Sequence, residues 1–141
     1  MGKRVYNFFK YVTIFLIGGI IYMLMEVIWR GHTHISMGIL GGICVVLIGI
    51  INEIYHDIPL LYQAPLGSTI ITILEYISGY ILNISLGLNI WDYSDLPFNV
   101  NGQVCLYYSL LWMVLSMVAS VIDDVIRQRI FSEEYRPIKF I

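Results

Sequence analysis

Charge is what this chain has least of. Lysine and arginine total 8, aspartate and glutamate total 10, and together they make 13% of 141 residues. A soluble domain carries about 25% charged residues. So little charge leaves too little polar surface to cover a water-exposed globule. Cysteine is nearly absent too. Cys44 and Cys105 stand alone in or beside apolar runs, where they read as small apolar fillers rather than a disulfide framework. There is no Walker A sequence, no dinucleotide fingerprint and no nucleophile elbow. No recognisable route to ATP follows, and no cofactor is implied. Basic residues are few and seven of the eight lie on the tails, which argues against nucleic acid. The only zinc-like spacing is His32-x-His34, with no cysteine near it. A metal site is therefore not expected. His32 and His34 are its weak candidates, and Glu26, Asp92 and Asp95 are the acids that would have to join them.

Apolar sequence is what the chain has in excess. It is 58% hydrophobic, with a mean hydropathy of +0.76. Four apolar stretches stand out, about Tyr11–Trp29, Ile35–Ile54, Ala64–Ile84 and Val104–Ile122. Each is roughly 20 residues, enough at 1.5 Å per residue to cross a ~30 Å hydrocarbon core. Barrel alternation is missing, and lipid otherwise tolerates only helices. The expectation is an all-α membrane protein. It would be a single membrane domain over 1–141, a four-helix bundle with a structured outer loop between the third and fourth helices. The first span follows Lys3, Arg4 and Lys10 but is too long for a signal peptide and lacks a small-x-small cleavage site, so it reads as a retained helix.

Orientation rests on the same scarce charges. Lys3, Arg4, Lys10, Arg127, Arg129, Arg136 and Lys139 lie on the two tails, which four spans place on one side. The positive-inside rule makes that side cytoplasmic. The Gly31–His34 turn and the Ser85–Gln103 loop then face outward.

Glu75 sits midway along the third span. An acid at that depth costs roughly 3 kcal/mol even on lenient insertion scales, so it should face protein or a water-filled cavity. Ser68, Thr72, Glu75, Gly79 and Asn83 recur at helical spacing and share one face. The first span carries Gly18, Tyr22, Glu26 and Arg30, the second Gly38, Gly41, Gly42 and Gly49, and the fourth Ser109, Trp112, Ser116 and Ser120. Such seams pack helices closely in membranes. The candidate partners of Glu75 are Tyr22, Glu26, Arg30, Trp112 and Ser116. Tyr22, or Glu26 sharing a proton with Glu75, is favoured over Arg30, which lies near the membrane boundary. Glu26 and Arg30 form an i,i+4 pair in the favourable order. In the loop, Trp91, Tyr93 and Phe98 suit an interfacial belt. Pro97 and Asn101-Gly102 are turn makers, and Asp92 and Asp95 add charge. Glu75, Asn83, Glu26, Arg30, Trp91, Asp92, Tyr93, Asp95 and Asn99 are thus the candidate functional residues.

Several of these segments carry a resemblance. The stretches are Glu26-Val-Ile-Trp-Arg-Gly-His-Thr-His-Ile-Ser-Met37, Glu75-Tyr76, Leu82-Asn83 and Trp91-Asp-Tyr-Ser-Asp-Leu-Pro-Phe-Asn99, then Asn101-Gly-Gln-Val-Cys-Leu106 and Asp123-Asp124. The chain resembles, over about residues 22 to 136, the small membrane proteins labelled putative ABC-transporter type IV or ABC transporter permease, found largely in Firmicutes. The resemblance implies a multi-pass protein of the bacterial plasma membrane with a transport role. It implies no particular substrate. The chain shows no nucleotide-binding domain and fewer spans than the six usual in one ABC permease subunit. A permease of this kind needs a separate ATPase or membrane partner, or a second copy of itself. Three readings stay open: a transport component, a structural or assembly subunit of a membrane complex, and a membrane enzyme acting on lipid or isoprenoid head groups.

Overall fold

A computed structural model describes residues 2–141. Four long helices dominate it, and all four are long and apolar enough to cross a membrane. Helix α1 spans Lys3–Arg30 and α2 spans Ile35–Ile54. Helix α3 spans Leu60–Gly79 and continues as a π-helical turn over Tyr80–Ser85, and α4 spans Leu106–Arg129. The expected helical bundle is what forms.

The ends differ from the apolar spans for local reasons. Helix α1 begins well before Tyr11, because its first turns are stabilised by contacts of Tyr6 and Lys10 with the C-terminal segment. It stops at Gly31, whose φ of 80° suits glycine and whose N–H bonds the Val27 carbonyl at 2.8 Å. His34 then caps α2, its Nδ1 accepting from the Ser36 N–H at 3.2 Å. Helix α3 starts at Leu60 rather than Ala64. The Leu60 and Leu61 amides donate to the Lys139 and Phe140 carbonyls at 2.8 and 3.1 Å, so the C-terminal segment caps it. Helix α4 starts at Leu106, because Val104–Cys105 pairs as a strand with Asn99–Val100. It runs past Ile122 to Arg129, with Asp123 and Arg127 paired one turn apart.

Helix α1 packs chiefly on α2 and α3 chiefly on α4, while α2 touches all three others. The α1–α2 contact is backbone to backbone. A methyl group at Gly19 would lie 2.5 Å from the Gly38 carbonyl oxygen, and one at Gly42 would lie 2.7 Å from the Phe15 carbonyl oxygen. Ile14, Val45, Ile48, Ala119 and Ile126 fill the centre. Leu16, Ile20 and Leu24 on α1, and Leu110, Val114 and Val118 on α4, point outward at helical spacing, as lipid-facing stripes do.

The close approach generates the first prediction. Gly19→Ala forces two helix backbones apart and is expected to cost about 1–3 kcal/mol, in the range of overpacked cores. Gly2→Ala, where nothing lies within 4 Å, should be neutral. Thermal unfolding in nanodiscs measures both, and equal melting temperatures would contradict the tight contact.

Candidate functional site

The polar face of α3 meets α4 and the connector rung by rung. Ser68 Oγ donates to the Ser109 carbonyl at 2.5 Å, and Thr72 and Ser109 hydroxyls bond at 2.9 Å. One turn on, the Trp112 indole N–H donates to Glu75 Oε2 at 2.6 Å. Gly79 then makes room for the connector, since a Cβ there would sit 2.9 Å from the Trp91 ring. At the π-helical turn, Asn83 Nδ2 donates to Gln103 Oε1 at 2.8 Å, and its Oδ1 accepts from the Ile90 and Trp91 amides at 2.6 and 3.4 Å.

Glu75 is only 4% exposed and faces protein. Among the helices its hydrogen-bond donor is Trp112, one of the candidates, rather than the favoured Tyr22 or Glu26. Depth excludes Glu26. Glu26 lies at the end of α1, occupied by Thr33 Oγ1 at 2.9 Å and by Arg30 Nη1 at 3.7 Å. The indole instead stands on the facing turn of α4, at the level of Glu75. Tyr22 lies nearby, its ring 6.2 Å from that of Trp112. Arg30 points away to the connector, donating from Nη2 to the Ile90 carbonyl at 2.8 Å.

The connector is held mainly by its own polar groups. Trp91 is not part of an interfacial belt: it is buried and donates from Nε1 to the Gln103 carbonyl at 3.0 Å, in the space Gly79 leaves. Phe98, by contrast, is exposed. Asp92 accepts from the Ser94 hydroxyl and, at 2.9 Å, from its amide, and these bonds hold its carboxyl below the usual range. Asn99 bridges the Leu96 carbonyl and the Gly102 amide at 2.8 and 3.0 Å. Asp95 is exposed. Tyr93 is the residue that reaches down. Its ring stacks on Tyr108 at 4.6 Å, and its phenol approaches Glu75. Burial raises the Tyr93 phenol above its ordinary range, and the neighbouring carboxylate raises it further, so it stays protonated as a donor.

Below Glu75 lies a cavity of about 70 Å³, walled by Tyr22, Met37, Cys44, Ile71 and Trp112 among others, with Glu75 in its lining. His32, His34, Glu26, Asp92 and Asp95 do not assemble a metal-ligand group among the described residues. His32 is exposed and His34 serves as the α2 cap.

Sequence reasoning missed a second polar centre at the other end of the bundle. Arg127, 3% exposed, bonds Asp123 Oδ2 at 2.8 Å and reaches Glu53 and Glu133 at 3.8 Å each. Gly49 leaves the space that the Asp123 carboxylate fills. Lys10 Nζ holds Glu133 at 2.7 Å, Tyr6 donates to the same oxygen at 3.0 Å, and Arg136 pairs with Glu53. Asp124 accepts from Asn52 at 2.9 Å. Glu53, Asp123 and Asp124 lie close enough together to hold a cation. Each already has a partner, Arg136, Arg127 and Asn52 respectively, so the cluster works as an ionic clamp on three helices and the tail. The i,i+4 spacing of Asp123 and Arg127 was its one visible sign.

A family profile described as "Putative ABC-transporter type IV" matches residues 13–140, nearly the whole chain. The chain belongs to this family. No curated protein and no solved structure matches it.

Two expectations follow from the clamp. Arg127→Met strands the buried Asp123 and should cost about 3–5 kcal/mol, while adding Asp123→Asn should recover part of that loss. Additive losses in unfolding experiments would contradict the pairing. Glu133 is partly desolvated, which alone would raise it, but the bonds from Lys10 and Tyr6 outweigh this and leave it below its ordinary value. Its contribution is therefore full above the unfolded value of about 4.3 and fades as pH falls through the lower folded value. Proteolysis of residues 131–141 should accelerate on that acid limb, and Lys10→Met should weaken the pH dependence.

Proposed function

We propose that this member of the family is a membrane-embedded component of a transport system, in which Glu75 and its cavity form the substrate-contacting site. The observation that carries the reading is a carboxylate midway along a membrane helix, set in a cavity wall and approached by Tyr93 from the connector. A helix keeps an acid at that depth when it serves a cavity or pathway. In this reading the Trp91–Asn99 segment is an outer lid. Asn83, Trp91, Asp92 and Asn99 hold its shape, Arg30 and Glu26 tie it to α1, and Tyr93 contacts the site. The bundle leaves little room for a pathway inside one copy, so a dimer interface or a separate partner such as an ATPase completes it. The chain is not an enzyme in this reading. In this reading it lies in the bacterial plasma membrane with both termini cytoplasmic, an orientation that the distribution of Lys and Arg supports.

The alternative, an assembly subunit, draws on the many polar side chains that bond one another or the backbone. Reconstitution separates the two. Proton coupling through the buried Glu75 carboxylate belongs to this reading, so a pH-sensitive dye inside liposomes should report gradient dissipation by the wild type, with Glu75→Gln reducing it about tenfold or more, as for loss of a proton-transferring group. Equal flux in a folded variant removes Glu75 from the pathway. No flux, together with a stoichiometric partner that is not an ATPase, favours the assembly reading. The topology has its own test. A membrane-impermeant thiol reagent applied outside cells should reach a cysteine placed at Asp95 and miss one at Lys3 or Lys139, and the reverse pattern would overturn it.

A further inference from the structure

We infer that the Glu75 cavity is a binding site for a small organic cation of the alkylammonium class. This deepens the transport reading and rests on it for its biological role, though not for its chemistry. Charge comes first. No lysine, arginine or histidine forms an ion pair with Glu75 among the described residues. Its neighbours are neutral donors: Trp112 donates to Oε2, and the Tyr93 phenol approaches the carboxylate. A carboxylate in low dielectric with no cationic partner repels anions and gains most from a cation beside it.

The walls decide which cation. Besides Glu75, the cavity is lined mostly by apolar side chains, among them Met37 and Cys44, and by the aromatic residues Tyr22 and Trp112. Sodium, calcium or magnesium needs several oxygen ligands, which this lining does not provide. An ammonium needs fewer. It can bond the carboxylate and lie against aromatic faces, while its alkyl part occupies the apolar wall. The two rings stand 6.2 Å apart at 46°. The volume of about 70 Å³ sets the size. At about 10–15 Å³ of such space per water, it has room for several water-sized groups, so a short alkyl chain fits and a lipid tail does not.

Cys44 lines the cavity and reports its occupancy. The experiment uses the full chain in nanodiscs with Cys105→Ala, so that Cys44 is the only thiol. N-ethylmaleimide labelling is followed with n-propylammonium or with 1-butanol, its neutral counterpart of similar size. Melting temperature is recorded in parallel. Propylammonium at ten times its dissociation constant should slow Cys44 labelling about tenfold and raise the melting temperature. Butanol should do neither. Glu75→Gln should lose both effects, Tyr22→Phe should keep them, and Tyr22→Leu should weaken them. Equal effects of butanol, persistence of the effects in Glu75→Gln, or no amine effect on labelling and melting would overturn the inference. If Cys44 proves unreactive, the melting shift and its dependence on Glu75 decide alone. Amine binding without flux would reject the transport reading only. Flux that needs Glu75 without amine binding would reject this inference only.

Discussion

Four polar side chains on one face of α3 and its π-helical turn have to be satisfied by protein, because a bilayer core offers hydrogen bonds to none of them. Ser68, Thr72, Glu75 and Asn83 need partners, and Gly79 provides room for one. This constraint fixes much of the remaining structure. It turns α3 toward α4, where Ser109 and Trp112 stand at matching heights. It draws the connector down at Gly79 and Asn83, so that Trp91 and Gln103 pack inside. The π-helical turn at Tyr80–Ser85 belongs to the same contact. It places Asn83 where one side-chain oxygen serves two connector amides.

The bundle uses different chemistry for its two halves. Helices α1 and α2 associate through glycines, with backbone against backbone and little polar contact. Helices α3 and α4 associate through hydrogen bonds. The ionic clamp around Arg127 joins the two pairs at one end, linking α1 through Lys10, α2 through Glu53 and α4 through Asp123. Buried ion pairs add little net stability, yet breaking one is costly. Their effect is to fix which helix ends meet. Pinning one end with charge leaves the Glu75 level lined by softer groups, Met37, Cys44 and aromatic rings, and the cavity lies there.

Much of this was legible in the residues. Hydropathy marks four helices because a membrane helix must be apolar over a fixed length. The face of α3 was legible because 3.6-residue periodicity lines up Ser68 through Asn83. That Glu75 faces protein followed from the cost of an acid in lipid. Its partner did not. Tyr22 and Trp112 lie at comparable distances along their helices, and only the rotation and axial offset of α1 and α4 choose between them. Trp91 misled for a related reason. A tryptophan in a connector suits a membrane interface, and only the Gly79 notch, seen from the opposite helix, shows why it goes inside.

The sequence by itself determined the class of object: four apolar helices, the helix face that turns inward, the turn at Asn101-Gly102 and the family. These follow from local length, period and residue type, which act along the chain without reference to the rest of the fold. Only the tertiary structure decided which polar groups meet. Asp123 joins Gly49, Lys10 joins Glu133, Tyr93 joins Glu75, and the tail carbonyls of Lys139 and Phe140 cap α3. These contacts span long sequence separations and depend on helix rotation and stagger. Those quantities are set by how glycine notches and side-chain volumes fit once all four helices pack together.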